Sequence, residues 1–379
     1  MTKSIRVAMI IQAYYPRLGG AERQLASLAP LLQQSGVELI VLTRRYAGHL
    51  SSFEMIRNVP VYRLPVPGPK PIAALGFSLC ALLVLQRFKP DVVHAHELLS
   101  PATTAVMAKQ ILRTPVVAKV LRGGVLGDIA KLKNRAFGLH RISALKRNID
   151  AFIVISQEID RELSGIGVSP EKRIFIPNGV DLARFAPLPL DQKTTQRKLL
   201  NLPDGLLVVF SGRLDPEKRV EILIELWPTI LERHPEASLL ILGTGSDETK
   251  LRKLAGANVI FGGNVEDVGP YLASSDIFVL PSSTEGLSNS LLEAMACGLP
   301  VIATSVGGAT DLISSDQNGI LIPPENKLAL KNALYLLLSD PEKRAKFGAL
   351  GQQVVQQNYS LPTCAENLKS LYEKTIAGA

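Results

Sequence analysis

The sequence predicts an α/β protein made of two doubly wound domains, and three observations support that prediction. Short runs rich in Val and Ile alternate with longer helical patterns along the chain, as expected of βαβ units around buried parallel sheets. The chain has 379 residues, more than one hydrophobic core usually serves. A strand, a glycine turn and a helix open each half. We therefore expect two Rossmann-like domains whose strands direct their carboxyl ends at a shared cleft, where open α/β sheets bind ligands.

The strand candidates are distributed evenly, with about six in each half. Those of the first half are 6–11, 37–43, 92–94, 115–121, 151–155 and 173–176. Those of the second half are 206–211, 238–242, 259–261, 277–280, 301–303 and 319–322. A Pro-rich and then polar stretch at 185–197 is predicted to be a linker, which gives domains at 1–187 and 188–361.

Composition excludes several protein classes. Apolar residues make up 46 % of the chain and charged residues 20 %, without a low-complexity tract, so a disordered or fibrous protein is excluded. The three cysteines, Cys80, Cys297 and Cys364, are widely spaced and favour a reducing compartment over a disulfide framework or a metal site. The first residues have the pattern of a strand rather than of a signal peptide, which predicts a cytoplasmic location. The apolar run 72–85 is too short to span a bilayer and is predicted to be a buried helix.

Charge is distributed unequally between the halves. Residues 1–190 carry 25 Lys and Arg against 12 Asp and Glu, whereas residues 191–379 carry 17 against 22. The basic half therefore either faces an anionic partner, such as a membrane surface or a lipid phosphate, or has a merely solvated surface. Nucleic acid is disfavoured, since few aromatic residues accompany the positive charge.

The segment 128–147 concentrates this basic character. Its cations are Lys131, Lys133, Arg135, Arg141, Lys146 and Arg147, and its apolar residues are Ile129, Leu132, Phe137, Leu139, Ile142 and Leu145. Such a segment either lies on anionic lipid at the inner face of the membrane, holds the phosphate of a lipid-linked acceptor, or forms a solvated helix or lid with one apolar stripe.

Two glycine turns carry the first candidate binding groups. Gly19 and Gly20 follow a strand and precede a helix, which suits either close contact with a phosphate or a plain tight turn. In the second half, Arg213 and Lys218 leave a strand close together and are candidates for holding a diphosphate. The alternative is that Arg213 forms surface ion pairs with Asp215 or Glu217.

A third motif combines two glutamates with a helix start. Glu285 lies in a loop after the strand at 277–280, and Glu293 lies inside the helix that begins near Ser288. Glu285 is placed to accept hydrogen bonds from sugar hydroxyls, and Glu293 to reach a ribose diol. The backbone N–H groups near Asn289 and Ser290 would meet a phosphate between them. The alternative is a loop acid followed by a solvated helix residue.

These residues resemble glycosyltransferase family 4. The resemblance is carried by Gly19-Gly20, His96, Gly212-Arg213 with Lys218, and Glu285 followed by Glu293, and it runs almost end to end. The segments 91–97, 154–156, 178–181 and 263–267 also match the family pattern, and the glutamate motif is the most specific part. The resemblance implies the GT-B architecture and a retaining transfer of a sugar from a nucleoside diphosphate.

The resemblance also implies site roles. Gly19 and Gly20 would touch the donor diphosphate, Arg213 and Lys218 would neutralise it, and the backbone around Val265 would contact the base. Glu285 would hold the transferred sugar, Asn289 and Ser290 would provide N–H groups, Glu293 would bind the ribose, and His96 would lie near the reactive carbon. A helix at about 362–379 would cross back to the first domain.

One segment departs from the family. Many members carry a histidine turn after the strand at 115–121, where this chain has Arg122, a candidate for binding an acceptor or phosphate group. A metal and a separate cofactor are not expected, because no Asp-x-Asp pair is present and cations already serve the diphosphate. No carboxylate is apparent for a double displacement, which favours front-face substitution.

Other functions remain open from the residues alone. They are a sugar-nucleotide epimerase or phosphorylase on the same fold, and a non-catalytic nucleotide-sugar-binding protein. The partners expected for the leading prediction are a UDP- or GDP-sugar donor and a sugar or lipid-linked acceptor in cell-surface polysaccharide or glycolipid synthesis.

Overall fold

The computed structural model describes residues 4–17, 19–65, 68 and 70–378, which form two compact units. Unit 1 consists of the chain up to Gly179 and from Leu361 onward, and unit 2 is Val180–Ser360. Leu18 of the first glycine turn, Val66, Pro67 and Pro69, and the terminal residues 1–3 and 379 of the predicted first domain and closing helix, lie outside the described residues.

Unit 1 contains, within the described residues, an eight-stranded sheet in the order β3-β4-β2-β1-β5-β6-β7-β8. Its strands are β1 (Ile5–Ile10), β2 (Val37–Arg44), β3 (Phe53–Ile56), β4 (Val59–Leu64), β5 (Val92–His96), β6 (Val116–Lys119), β7 (Ala151–Val154) and β8 (Arg173–Phe175). Its helices are α1 (Gly20–Gln34), α2 (Lys70–Phe88), α3 (Ser100–Leu112), α4 (Asp128–Lys133), α5 (Gly138–Asn148), α6 (Gln157–Gly165) and the returning helix, here named α15 (Leu361–Ala377).

The central strands of unit 1 are buried on both faces because helices cover both. Every residue of β5, β6 and β7 is buried. α15 packs against α1, β5 and β6, while α3 packs against α2, α5 and β5. The strand order reverses between β1 and β5, which pair in parallel. This reversal is a topological switch point, the position at which open α/β sheets form a ligand crevice beyond the carboxyl ends of their strands.

The sheet of unit 1 is larger than the sequence predicted because β3 and β4 were not anticipated. They form an antiparallel hairpin at its edge. The connecting residues Arg57 and Asn58 have φ values of 50° and 63°, as the two-residue turn that matches strand twist requires. The residue types Arg57 and Asn58 predict this turn only weakly, since Asn favours it but the Gly that usually follows is absent.

Helix α2 differs from the prediction of a buried helix. It lies at the edge of the helical layer on its face of the sheet and packs against α3 and β4. Phe77, Ala81 and Leu85 are buried, but an outer row formed by Ile72, Leu75, Leu79 and Leu83 is exposed. Among the described residues, no helix is both long enough and apolar enough to cross a membrane.

Unit 2 contains, within the described residues, a six-stranded parallel sheet in the order β11-β10-β9-β12-β13-β14. Its strands are β9 (Leu207–Ser211), β10 (Ser238–Leu242), β11 (Val259–Gly263), β12 (Ile277–Leu280), β13 (Val301–Thr304) and β14 (Ile320–Ile322). Its helices are α7 (Leu190–Leu199), α8 (Val220–Arg233), α9 (Glu248–Leu254), α10 (Gly269–Ala273), α11 (Asn289–Ala296), α12 (Ala309–Leu312), α13 (Lys327–Ser339) and α14 (Pro341–Asn358). Here the strand order reverses between β9 and β12.

The stretch predicted as a linker is largely helix α7, fixed to unit 2. Arg197 and Lys193 project from α7 to the Asp276 carboxylate, each at 2.7 Å. Asp276 also accepts the Leu207 N–H at 2.7 Å, so both cations lie at the amino end of β9 and β12. The residues just before α7 also belong to unit 2, since Arg184 pairs with Asp267 at 2.9 Å and the Val180 N–H donates to the Tyr359 carbonyl at 2.8 Å, so the division between units falls after Gly179 rather than near residue 188.

Candidate active site

The loop after β9 in unit 2 holds the predicted diphosphate cations. Ser211 ends β9, and Gly212 lies against the neighbouring strand end, because a Cβ built on Gly243 would meet the Gly212 carbonyl oxygen at 1.8 Å. A short 3₁₀ turn, Pro216–Lys218, then precedes α8. This turn brings Lys218 back toward the carboxyl edge of the sheet.

The loop after β12 is tightly held around Glu285. The Ser282 hydroxyl donates to Glu285 Oε1 at 2.6 Å, and the Ser283 N–H donates to the Glu217 carbonyl at 2.8 Å. Gly307, at φ +55°, packs where a Cβ would lie 2.5 Å from the Glu285 carbonyl oxygen. The loop conformation therefore depends on glycine in the following turn as well as on its own residues.

Lys218 and Glu285 meet across the switch point of unit 2. Lys218 Nζ donates to Glu285 Oε1 at 2.5 Å, and only 6 % of Glu285 is exposed. A carboxylate so deeply buried needs a paired cation and hydrogen bonds, which Lys218 and Ser282 provide. Two residues 67 positions apart in sequence are thus brought together where a ligand would bind.

Arg213 takes a different position from Lys218. Its guanidinium pairs with Asp215 and, at 3.2 Å, with Glu217, and 56 % of its side chain is exposed. This is the ion-pair alternative considered above. Arg213 nevertheless precedes the 3₁₀ turn that Lys218 ends, so a ligand at the end of β9 would lie near both.

Helix α11 begins where the sequence predicted. Ser288 is its N-cap and accepts the Leu291 N–H at 3.4 Å, so Asn289 and Ser290 occupy the first helical positions. The first N–H groups of a helix have no intrahelical acceptor and carry the positive end of its dipole. Glu293 is half-buried in the second turn, and Val265 is half-buried beyond β11, at the outer edge of the sheet.

In unit 1 the glycine turn forms the start of α1. Gly19 is the N-cap, and its N–H donates to Glu22 Oε2 at 2.9 Å. A Cβ on Gly19 would lie 2.7 Å from that oxygen, so this capping contact by itself favours glycine at position 19. Gly20 is the first residue of the helix, next to the switch point between β1 and β5.

His96 ends β5 and is 5 % exposed. Its ring stacks on His94 at 4.2 Å between centroids, and His94 Nδ1 shares a hydrogen bond of 2.8 Å with the Tyr372 hydroxyl of α15. Burial, followed by the charge of Lys119, lowers the pKa of His96 to about 3, and burial also lowers that of His94. Both imidazoles are therefore neutral near pH 7.

Sequence reasoning missed Lys119, the last residue of β6. It pairs in register with His96 and is buried, and its Nζ donates to Asn178 Oδ1 at 2.8 Å. Burial lowers the pKa of Lys119. The sequence did contain a signal for this residue, since Lys119 ends an otherwise apolar strand. A lysine in that place on a buried strand lies at the carboxyl edge of the sheet, where ligands bind.

Arg122 follows β6 in a turn that leads to α4. Its carbonyl accepts the Asp128 N–H at 3.0 Å, and Asp128 Oδ2 accepts the Leu121 N–H at 3.2 Å. The turn therefore places Arg122 at the carboxyl edge of unit 1, half-buried. No group of three or more His, Cys, Asp or Glu side chains suited to a metal ion occurs among the residues that the structure describes.

The predicted amphipathic segment is two helices rather than one. α4 ends at Lys133 and α5 begins at Gly138, directly after Phe137, whose φ is 59° and which is 79 % exposed. Ile129, Leu132, Ile142 and Leu145 are buried within unit 1, whereas Leu139 is exposed. Most of the apolar stripe of segment 128–147 therefore packs in the core of unit 1.

Comparison with known proteins identifies the family. The model described as "Glycosyltransferase Family 4" matches residues 18–184, and "Glycosyl transferases group 1" matches residues 191–354. A GDP-mannose-dependent monoacylated alpha-(1-6)-phosphatidylinositol monomannoside mannosyltransferase of Corynebacterium glutamicum is 29 % identical, over 98 % of this chain and 99 % of the relative.

Solved structures show the same fold. Sucrose-phosphate synthase from Thermosynechococcus elongatus superposes with a TM-score of 0.85 at 23 % identity, covering 99 % of this chain and 100 % of that one. Anabaena HepE in complex with UDP-glucose gives a TM-score of 0.81 at 20 % identity, with 99 % and 100 % covered. The predicted fold class, GT-B with two Rossmann-like domains, is confirmed. The chain belongs to glycosyltransferase family 4 and is a glycosyltransferase.

Proposed function

We propose that the protein transfers a sugar, with retention of anomeric configuration, from a nucleoside diphosphate sugar bound by unit 2 to a hydroxyl of a lipid-linked acceptor bound by unit 1. The observation that carries the donor assignment is the buried Lys218–Glu285 pair at the switch point of unit 2. It combines a cation suited to a diphosphate with a carboxylate suited to sugar hydroxyls.

We propose the following donor roles. Lys218 and the N-terminus of α11 at Asn289 and Ser290 neutralise the diphosphate, and Arg213 exchanges its carboxylate partners for phosphate oxygen. Glu285 holds the hydroxyls of the sugar, Glu293 the ribose, and the backbone at Val265 the base. Gly19 and Gly20, at the start of α1, are the further residues that we propose as contacts of the diphosphate.

The reaction uses charge stabilisation rather than an enzyme carboxylate at the reacting carbon. The sugar–phosphate bond breaks, Lys218 and Arg213 stabilise the charge of the departing diphosphate, and its oxygen takes the proton of the attacking acceptor hydroxyl on the same face. His96 is neutral near pH 7, so it contacts the sugar as a hydrogen-bonding group without adding positive charge near the reactive carbon. No metal or separate cofactor is part of this mechanism.

The donor is a GDP- or UDP-sugar. A GDP-mannose-dependent relative and a fold neighbour solved with UDP-glucose represent these two bases. That relative acts on a phosphatidylinositol monomannoside, which supports a glycolipid acceptor here.

We further propose peripheral membrane contact at the cytoplasmic face, which an exposed surface of unit 1 supports. Four large apolar residues before α4 and around the start of α5 are exposed: Val125, Leu126, Phe137 and Leu139. The exposed cations Lys131, Lys133 and Arg135 lie between them in sequence. The exposed row of α2 belongs to the same helical layer, because α3 packs against both α2 and α5. Apolar side chains flanked by cations suit an anionic lipid surface.

Transfer is tested by incubating the protein with radiolabelled GDP-mannose or UDP-glucose and vesicles containing phosphatidylinositol. We expect nucleoside diphosphate release that depends on acceptor, and a glycolipid whose anomeric configuration by NMR matches that of the donor. Release without acceptor at the same rate, or an inverted product, contradicts the proposal.

Membrane contact is tested by vesicle flotation with Phe137→Asp. We expect the variant to float less than wild type on vesicles with anionic lipid, and both to float less at high salt. Phe53→Asp is the matched control, since Phe53 is exposed on β3 at the sheet edge. Equal flotation of Phe137→Asp and the control contradicts this assignment.

A further inference from the structure

The chain bends abruptly at Glu97, directly after His96. Its φ is 96°, in the left-handed region that residues with side chains rarely adopt. The Glu97 N–H donates to the Lys119 carbonyl at 3.0 Å, so β6 holds the bend in place. Backbone strain of this kind persists only where the surrounding structure enforces it, and it often accompanies a functional position.

The bend places the Glu97 carboxylate at the switch point of unit 1. Gln12, which follows β1, hydrogen-bonds it, and the Asp128 carboxylate at the start of α4 acts on it electrostatically. Glu97 therefore connects the carboxyl ends of β1 and β5, the two strands between which the sheet order reverses. This is the edge at which unit 1 has been proposed to hold the acceptor.

Glu97 and Asp128 differ in what they do for the fold. Asp128 Oδ2 accepts the backbone N–H groups of Leu98 at 3.3 Å and Leu121 at 3.2 Å, which closes the turns after β5 and β6. Glu97 instead adds a second carboxylate beside Asp128, in a strained conformation. The arrangement is unfavourable for stability, which is typical of a side chain kept for binding or chemistry.

The electrostatic surroundings of Glu97 are mixed. Burial raises the pKa of Glu97 most, and the charge of Asp128 raises it further. The hydrogen bond from Gln12 and the charges of Lys131 and Arg135 lower it. The result is a pKa of Glu97 raised to about 7. Neighbouring His96 is neutral in this range, so the protonation of Glu97 changes the charge of this edge between pH 6 and 8.

We propose that the Glu97 carboxylate binds a hydroxyl of the acceptor, so that the group presented to unit 1 is a polyhydroxylated ring, either a sugar or a cyclitol. The proposal rests on the proposed function and adds an acceptor-binding residue to it. The ionised carboxylate accepts the hydrogen bond, which a protonated carboxyl provides less well. The leaving diphosphate still takes the proton of the reacting hydroxyl.

The test measures binding of two probes, methyl α-D-mannopyranoside and myo-inositol, by saturation-transfer NMR on the full chain with UDP or GDP present. For wild type we expect the affinity for at least one probe to rise about tenfold from pH 6 to pH 8, following ionisation of Glu97. Glu97→Gln should bind that probe about 10- to 100-fold more weakly at pH 8, without the pH dependence. Glu38→Gln, at the start of β2, is the control and should behave as wild type.

A second variant separates binding from folding. Glu97→Gly removes the carboxylate and relieves the strained φ, so we expect it to melt at or above the temperature of wild type while losing probe binding. Equal probe affinity in Glu97→Gln and wild type at pH 8, or no probe binding by wild type, would overturn the inference. Nucleotide binding is recorded in the same samples, and its absence would count against the proposed function instead.

Discussion

The two switch points of this protein handle charge in opposite ways. In unit 2 the carboxyl edge is built from charged groups in pairs, with Lys218 on Glu285 and Arg213 on Asp215 and Glu217. In unit 1 the corresponding edge holds His96, on which His94 stacks, together with Lys119 and Glu97. Burial shifts each of these pKa values in the direction that favours the neutral form of the side chain. This contrast supports the proposal that unit 2 binds the charged donor and that unit 1 binds a hydroxyl-bearing acceptor.

This difference explains why net charge is a poor guide to the donor site. The half of the sequence that contains Arg213 and Lys218 carries more acidic than basic residues, whereas in the basic half burial lowers the pKa of His96 to about 3 and also lowers that of Lys119. The positive charge of unit 1 is instead displayed at its surface, as at Lys131, Lys133 and Arg135. Local desolvation and pairing decide what a site binds.

The largest effect is expected from removing the buried cation of unit 2. Lys218→Met should lower kcat/KM for transfer by about 10²–10³-fold, because the departing diphosphate loses a preorganised cation. Steady-state kinetics with the donor varied measure this, and thermal unfolding of the same variant shows whether the unpaired Glu285 also weakens the fold. Turnover equal to wild type would remove Lys218 from the mechanism.

Arg213→Ala should lose about 2–4 kcal/mol of barrier stabilisation, and we expect a value at the lower end of this range, below the loss in Lys218→Met. Arg213 is the more exposed cation and must leave its carboxylate partners to meet phosphate. The Asp215→Asn variant sharpens the comparison, since it weakens that competition and should lower the donor KM. Unchanged kinetics in Arg213→Ala would mean that its ion pairs are structural only.

In unit 1 the main prediction concerns acid stability. The pKa of His96 is about 3 in the folded protein and near 6.5 when unfolded, so unfolding takes up a proton as the pH falls below 6.5. Between pH 6.5 and 5 this lowers the free energy of unfolding by about 2 kcal/mol, and His94 acts in the same direction. Urea titrations of wild type and His96→Gln should show a shallower acid slope in the variant. Parallel slopes would contradict the desolvated state of His96.

A smaller effect is expected from the contact that α15 makes with these histidines. Tyr372→Phe deletes only the hydroxyl bonded to His94, which should destabilise unit 1 by about 1 kcal/mol and leave nucleotide binding unchanged. Chemical denaturation followed by a competitive nucleotide-binding assay measures both. Weakened nucleotide binding in this variant would show that α15 acts on the donor site as well.

The sequence was sufficient for the features that depend on local pattern. Strand runs such as 238–242, the helix start at Asn289, and the cations after β9 could all be located, because each is marked by hydrophobic period, capping residue or glycine turn. The β3–β4 hairpin was missed because its turn at Arg57 and Asn58 has no glycine, and α7 because a Pro-rich approach concealed a helix.

Properties that arise from tertiary contact could not be read from the sequence. The Lys218–Glu285 pair joins distant segments, and the neutral state of His96 depends on burial beneath neighbouring elements. The unusual conformation of Glu97 is likewise imposed by β6 rather than by its own residue type. The exposed row on α2 was predicted to be buried, since apolar content alone does not show which face a helix covers.

The central claim, that the switch point of unit 2 binds a nucleoside diphosphate sugar through Lys218, is tested most directly by isothermal titration calorimetry of wild type and Lys218→Met with GDP-mannose and UDP-glucose. The account predicts that wild type binds one of these donors and that the variant binds it about 100-fold more weakly, equivalent to the loss of about 2.7 kcal/mol. Equal affinities in the two proteins, or binding of neither donor by wild type, would contradict it.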